Sequence, residues 1–140
     1  MPNIIPNVRN KLLLDSSLYP SLVKKIKAGF ADMKLDNEFP LITIREDAGD
    51  SHPVFPSCHS TVIVTAWVKG DETSPYKKLV SDIGSKIITD LNKKNVAMTD
   101  ANAIINMFIK TGGFPAYIED EKLWSYPISF ETWYEENPSN

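Results

Sequence analysis

The clearest strand signal in the chain is Ser60-Thr61-Val62-Ile63-Val64-Thr65-Ala66-Trp67-Val68. β-Branched side chains fill most of this run, and they favour a pleated, half-buried backbone. Alternate side chains of a strand share a face. One face is therefore apolar, with Val62, Val64, Ala66 and Val68, and the other is more polar, with Thr61, Ile63, Thr65 and Trp67. The run predicts a strand whose apolar face covers a core.

A helical pattern follows this strand, over residues 75–93. Apolar side chains recur there at spacings of three and four: Leu79, Val80, Ile83, Ile87 and Leu91. Ser74 suits the N-cap and Pro75 the first helical position. Gly84 lies inside the helix, where glycine costs roughly 0.5–1 kcal/mol relative to alanine. We therefore expect the helix to approach the sheet closely at Gly84.

The other elements give weaker signals. Residues 3–27 have helical spacing, as two short helices or as one helix broken near Asp15. Strands are predicted at 41–45, 104–109 and 128–135, with irregular segments at 46–58 and 110–126. The sum is an α+β domain: a mostly antiparallel or mixed β-sheet of about four strands, with two main helices packed on one face. Residues 1–140 form a single domain, and 135–140 are expected to be a frayed tail.

Composition narrows the function classes. The chain has 140 residues, a formal charge of -3 and one cysteine, Cys58. Its acidic balance argues against a protein that grips nucleic acid, and one cysteine excludes an internal disulfide. No apolar run approaches the roughly 20 residues of a membrane span. We expect a protein made in the cytoplasm and not bound to membrane.

One loop combines residue types that bind metals. His52, Cys58 and His59 lie near Asp47 and Asp50, and such side chains can hold zinc. Their spacing matches no zinc signature, and a catalytic Cys–His pair is normally assembled across a fold. No phosphate-binding glycine motif or nucleophile elbow is present. We expect no catalytic residue, no metal and no cofactor, with a small metal-dependent hydrolase using the 47–59 loop, or a monomeric ligand-binding domain, as alternatives.

Two tryptophans fall on the polar faces of their predicted strands. Trp67 and Trp133 each alternate with apolar side chains that face the other way. Aromatic residues are enriched where one protein covers another. The candidate subunit interface is therefore Trp67, Trp133, Ile63 and Thr65.

An ordered set of motifs, between residues 8 and 134, resembles the tail-terminator (tail-completion, minor tail or head–tail joining) proteins of long-tailed bacteriophages. It comprises an opening Leu-Leu-Leu-Asp-Ser-Ser-Leu at 12–18, then Phe-Pro-Leu-Ile-Thr-Ile at 39–44, and the strand ending Val-Thr-Ala-Trp-Val at 64–68. A helix over 74–91 and a closing Ile-Ser-Phe-Glu at 128–131 complete the set.

The resemblance implies a ring, expected to be a homo-hexamer, that caps the phage tail tube. Such a ring stops tail polymerisation and offers a docking surface to the head-completion, or connector, protein. It also implies a location in the virion, at the tail–head junction, with DNA passing through the lumen only in transit. The family has no enzymatic role and no cofactor. Another neck or tail component, a head-closure or tube protein, is the related alternative.

Long loops in a compact domain are often functional. Residues 46–58 and 110–123 are therefore the predicted contacts with the tube or the connector. The candidate contact residues are Asp47, Asp50, His52, Phe55, Phe114 and Tyr117.

Overall fold

A computed structural model describes residues 4–29, 38–47, 57–97, 103–111 and 113–136 of the chain. Its elements are two helices and seven strands. In chain order they are α1 (Ile4–Leu13), β1 (Lys25–Ala28), β2 (Leu41–Asp47), β3 (Ser57–Lys69), α2 (Ser74–Leu91), β4 (Lys94–Ala97), β5 (Ala103–Thr111), β6 (Ala116–Ile118) and β7 (Leu123–Glu136).

The strands form one mixed sheet in the order β1-β2-β3-β7-β5-β4. The short β6 also pairs with β7, next to β5. β1 pairs parallel to β2, and the other described pairings are antiparallel. β3 and β7 are paired from Ser57↔Glu135 to Lys69↔Leu123, so these two long strands form the centre of the sheet.

Both helices pack on one face of this sheet. Their buried side chains, including Val8 and Leu12 of α1 and Ile83 and Ile87 of α2, join a single core with the strands. From β3 and β7 the core takes Val62, Val64, Ala66, Val68, Trp124, Ile128 and Phe130. Register explains this set, because Val62 lies opposite Phe130 and Val64 opposite Ile128, so that their side chains share a face. The α+β class, with helices packed on the sheet, is confirmed.

The described residues contain seven strands, more than the four or so that the sequence predicts. Part of the difference lies in the first 27 residues, where helix ends at Leu13 and residues 25–28 form β1. Pro20 has no N–H to give to a helix. Lys24 donates its N–H to the Pro40 carbonyl at 2.9 Å, and Ile26 is buried between lysines, as in a strand. Pairing with β2 therefore outweighs the helical spacing.

The segment 110–126, predicted to be irregular, contains β6 and the start of β7. Within β7, Pro127 has no N–H to donate to a neighbouring strand. In the structure Pro127 lies opposite the gap between β5 and β6, where β7 has no strand partner on that side. β7 also continues through Glu135 and Glu136, so the frayed tail is wrong for these two residues, and 137–140 lie outside the described residues.

Helix α2 follows its prediction closely. It begins at Ser74 with Thr73 as the N-cap, one residue before the predicted cap, and Thr73 makes no side-chain cap hydrogen bond. At Gly84 an added Cβ would lie 2.6 Å from ring atoms of Tyr126 on β7. The expected close approach of the helix to the sheet at Gly84 is therefore confirmed. Across the described part of the chain, no helix combines the length and the apolar character needed to cross a membrane.

Candidate functional site: the outer face of the sheet

The face of the sheet opposite the helices carries the predicted interface residues. We call this the outer face, and on strands β2, β3 and β7 it includes Thr43, Arg45, Ile63, Thr65, Trp67, Ser125, Pro127 and Ser129. Cross-strand pairing aligns them, since Thr65 lies opposite both Thr43 and Pro127, while Trp67 lies opposite Ser125. The outer face thus combines apolar surface with short polar side chains.

A shallow cavity of about 210 Å³ opens on the outer face beside Trp67. The Trp67 indole Nε1 donates a hydrogen bond to the Thr43 hydroxyl at 2.9 Å, which fixes the edge of the ring across β2. Thr43 and Thr65 are buried beneath it, and Pro127 is exposed. The lining is completed by Gly29, Arg45 and Ser125. Such a cavity offers a binding partner a recessed surface, hydrogen-bonding groups and the positive charge of Arg45.

Trp133 lies on the same face but far from Trp67. It lies opposite His59 on β3 and Asn106 on β5, near the end of β7. Eight residues of β7 separate it from Ser125, the partner of Trp67, which is about 26 Å along the strand. Trp133 is half-buried and engaged in contacts of its own. The structure therefore places Trp67, Thr65 and Ile63 together, and Trp133 at the other end of the face.

The predicted contact-loop residues are not brought together in one place. Asp47 ends β2, and Asp50, His52 and Phe55 lie outside the described residues. Phe114 precedes β6 and is 74% exposed, which makes it one of the most exposed large apolar side chains described.

Tyr117, the last of these residues, belongs to β6 and faces inward. Its ring packs against Trp124 with centroids 5.2 Å apart. Desolvation raises the pKa of Tyr117, and the carboxylates of Asp71, Glu72 and Glu119 add to that increase. Tyr117, predicted to contact the tube or the connector, is thus one of two packed aromatic rings, and it lies near several carboxylates.

The predicted metal loop is only partly described. Cys58 and His59 belong to the backbone of β3, and the rest of 48–56 lies outside the described residues. Within the ranges that the structure describes, no three His, Cys, Asp or Glu side chains gather closely enough to hold a metal ion.

A pair of carboxyl groups, missed by the sequence reasoning, joins α2 to the turn after α1. Asp90 and Asp15 form a side-chain hydrogen bond, and burial and this neighbour raise the pKa of Asp90 to about 7. The bonds to Asp90 and Ser17 lower the pKa of Asp15. The second oxygen of Asp90, Oδ2, is buried with no hydrogen-bond partner. The pair therefore shares a proton near neutral pH.

Several outer-face residues were also missed. Thr43 and Arg45 belonged to a predicted strand, whose alternation puts them on one face, but only the register of β2 against β3 brings them beside Trp67. Ser125 fell in the segment 110–126, predicted to be irregular, and Pro127 fell just before the predicted last strand, so nothing in the sequence placed them on this face. No local signal could indicate the contact of Asp15 with Asp90, because they are joined only by packing of the turn against α2.

Comparison with known proteins gives similarity in fold to solved structures. No family model and no curated protein matches the chain. Among the solved structures, it is similar to a chain from the virion of a native gene transfer agent (GTA) particle. The TM-score is 0.68 at 7% sequence identity, and the match covers 94% of each chain. At this identity the likeness shows a shared fold.

Proposed function

We propose that this chain is a structural protein of a phage-like virion, and specifically a tail terminator. The carrying observation is the similarity in fold, over 94% of both chains, to a chain of a GTA virion. The order of motifs along the sequence supports the finer assignment. In this role the protein caps the tail tube, ends its polymerisation and docks the head connector.

The proposed mechanism is contact between complementary surfaces, with no bond chemistry. A ring of identical copies, six in the proposal, requires each copy to present two different patches to its neighbours. DNA would pass through the ring without being held, because a chain with a formal charge of -3 does not neutralise phosphate. The protein would act without cofactor or metal.

We assign the outer face to a protein–protein contact within the particle. Trp67, Thr65 and Ile63 form its centre, and Trp133 extends it along β7. A half-buried indole beside a shallow cavity is the type of side chain that anchors such contacts. A neighbouring copy of the chain is the simplest partner for this face.

Deletion of the coding sequence from the particle-producing genome tests the role. Tails of uncontrolled length that fail to join heads, seen by electron microscopy, are the expected result. Tails of normal length beside heads that lose DNA would indicate a head-closure protein, and the absence of tails would indicate a tube protein. Normal particles would contradict the whole proposal.

The outer face is tested by adding a charge beside Trp67. Ser125→Glu places a carboxylate at the cavity without removing core volume, and Ser85→Glu on the exposed side of α2 is the matched control. We expect Ser125→Glu to fail to complement the deletion while Ser85→Glu restores normal particles. Equal complementation would remove the outer face from the proposed contact.

A further inference from the structure

Strands β1 and β6 lie on opposite sides of the sheet but at the same level along it. One row of cross-strand neighbours joins them: Lys25, Leu41, Trp67, Ser125 and Ala116. The row crosses four strand-to-strand steps, or about 19 Å at roughly 4.8 Å per step. Within the described part of the chain, β1 pairs only with β2, and β6 only with β7. Each therefore has one edge that a further strand can join.

The β1 edge is basic. Residues 24–27 read Lys-Lys-Ile-Lys, and Lys24 is exposed just before the strand begins. Arg9 of α1 adds a fourth positive charge, because its Nε–H donates to the Ile26 carbonyl at 2.7 Å. Glu38, exposed near the start of β2, offsets one of these charges. The edge keeps an excess of positive charge.

The β6 edge is followed by an acidic turn. β6 ends at Ile118, and the exposed residues 119–121, Glu-Asp-Glu, come directly after it. Lys122, also exposed, offsets one of the three carboxylates. Gly70 donates its N–H to the Lys122 carbonyl at 3.0 Å, so the exposed residues 71–72, Asp-Glu, lie on a neighbouring turn. This side of the sheet keeps an excess of negative charge.

Strand directions align these opposite charges between two copies of the chain. β1 runs parallel to β2, and each later step, to β3, β7 and β6, is antiparallel. β6 therefore runs opposite to β1. When two copies lie side by side in the same orientation, β6 of one meets β1 of the next as an antiparallel pair. The acidic turn follows β6 and the lysines begin β1, so both charged segments lie at the same end of that pair.

The lysines also select between possible partners for β1. A second copy of β1 would place lysine against lysine, which is unfavourable. Lysine on an edge strand hinders unselective pairing in this way, whereas an acidic partner turns the same charges into an attraction. Ile118, 37% exposed on β6, would be covered by the lysine stems. Among the edges of this chain, β6 with its acidic turn is therefore the one whose charge fits β1.

We propose that β6 of one copy pairs antiparallel with β1 of the next, and that the sheet thereby continues from chain to chain. The carboxylates of residues 119–121 then face the lysines at the start of β1. The contact is heterologous, so it closes into a ring or extends into a filament. This inference rests on the proposed function, because it supplies the two different patches that a ring subunit needs. The outer face lies between the two edges and remains available for its own contact.

Charge reversals separate the two edges. Lys24→Glu with Lys25→Glu gives the basic-edge variant, and Glu119→Lys with Glu121→Lys gives the acidic-turn variant. None of these four side chains is buried, so the core is left unchanged.

The matched control is Lys77→Glu with Lys78→Glu, at two exposed positions of α2. It changes the net charge by the same amount as the basic-edge variant but lies away from both edges. Circular dichroism and thermal melting establish that each variant is folded.

The test is the mass of the purified full chain by light scattering at low salt. We expect the wild type and the control to form assemblies larger than the 15.7 kDa chain, with masses that fall as salt is added. Each single-edge variant should remain at the chain mass, with self-affinity reduced by about tenfold or more, because like charges now face each other. A chain that carries both reversals should assemble again, since its new lysines face its new carboxylates. An equimolar mixture of the two variants should assemble for the same reason.

A monomeric wild type, a single-edge variant that assembles normally, or a mixture that stays at the chain mass would each overturn the inference. The outcome is separable from that of the proposed function. Assembly that needs opposite charges, in a chain whose deletion leaves particles normal, would contradict only the virion role. Particles that need the chain, together with reversals that leave its assembly unchanged, would contradict only this contact.

Discussion

Among the residues that the structure describes, Asp90 has the largest increase in pKa on folding. Its Oδ2 is buried without a partner and its carboxyl contacts that of Asp15. Lys11 and Lys86 lie near enough to favour the charged form, yet burial and the neighbouring carboxyl outweigh them. The turn after α1 is therefore fastened to α2 by a shared proton, with Lys86 donating a further hydrogen bond to Ser17 at 3.1 Å.

This arrangement predicts a pH-dependent stability. Asp90 titrates near 3.8 when unfolded and near 7 when folded, so the folded state binds more protons between those values. The free energy of unfolding should fall as pH rises through that window. Asn at position 90 imitates the protonated form. Because Asp90 is only half-buried, we expect Asp90→Asn to raise the free energy of unfolding by about 1–2 kcal/mol at pH 8 and to leave it unchanged near pH 4.

Urea unfolding at pH 4, 6 and 8 measures the effect. Asp82→Asn is the control, since Asp82 is an exposed partner of Lys78 at 3.3 Å and should change stability by less than about 0.5 kcal/mol. If Asp90→Asn raised the free energy of unfolding equally at all three pH values, a shared proton would not be the cause.

At the scale of elements, α2 is held against β7 by the absence of a side chain at Gly84. Alanine favours a helix by roughly 0.5–1 kcal/mol, but its Cβ would lie 2.6 Å from the Tyr126 ring. We expect Gly84→Ala to destabilise by about 1–3 kcal/mol, since overpacking outweighs helix propensity. Thermal melting measures this, with Ser85→Ala on the exposed side as the control that should be neutral or slightly stabilising.

A smaller side chain at the contact provides the decisive comparison. In a Tyr126→Leu background, the cost of Gly84→Ala should shrink, because the ring that meets the new methyl group is gone. An unchanged cost in that background would mean that the glycine is needed for another reason.

Among the described residues, the largest fully buried side chain is Phe130 of β7. Truncation to alanine leaves a cavity between the sheet and the helices, and we expect a loss of about 3–5 kcal/mol. Phe114→Ala, at an exposed aromatic, should change stability by less than about 0.5 kcal/mol in the same urea titration. Similar losses for both would contradict the placement of Phe130 at the centre of the core.

Elements with strong local patterns could be predicted from the sequence, and those defined by pairing could not. β3 and α2 carry alternation and helical spacing over many residues, so their faces follow directly. β1 and β4 have four residues each and exist because β2 and β5 pair with them. The same limit applies to the outer face: Trp67 was predicted from alternation, whereas its bond to Thr43 depends on the register of β2.

At the scale of the whole molecule, the paired strands β3 and β7 connect the two sides of the sheet. β3 receives β2 on one side and β7 on the other, and β7 in turn receives β5 and β6. Helix α2 packs on β3 and β7, and α1 packs on β1, β2 and β4. Stress on a contact at the outer face would therefore be carried by the β3–β7 pair.

This topology predicts an order of opening that hydrogen exchange can measure. Amides of β3 and β7 in the interval paired from Val62↔Phe130 to Val68↔Trp124 lie over the core and should exchange last, at rates set by global unfolding. Amides of β1, at an edge with four residues and one strand partner, should exchange faster by about a hundredfold or more, through local opening. Equal protection of the β1 and β3 amides from exchange in the isolated chain would contradict this order. It would mean that β1 is stabilised by contacts beyond its pairing with β2, and that β3 and β7 are not the last part of the sheet to open.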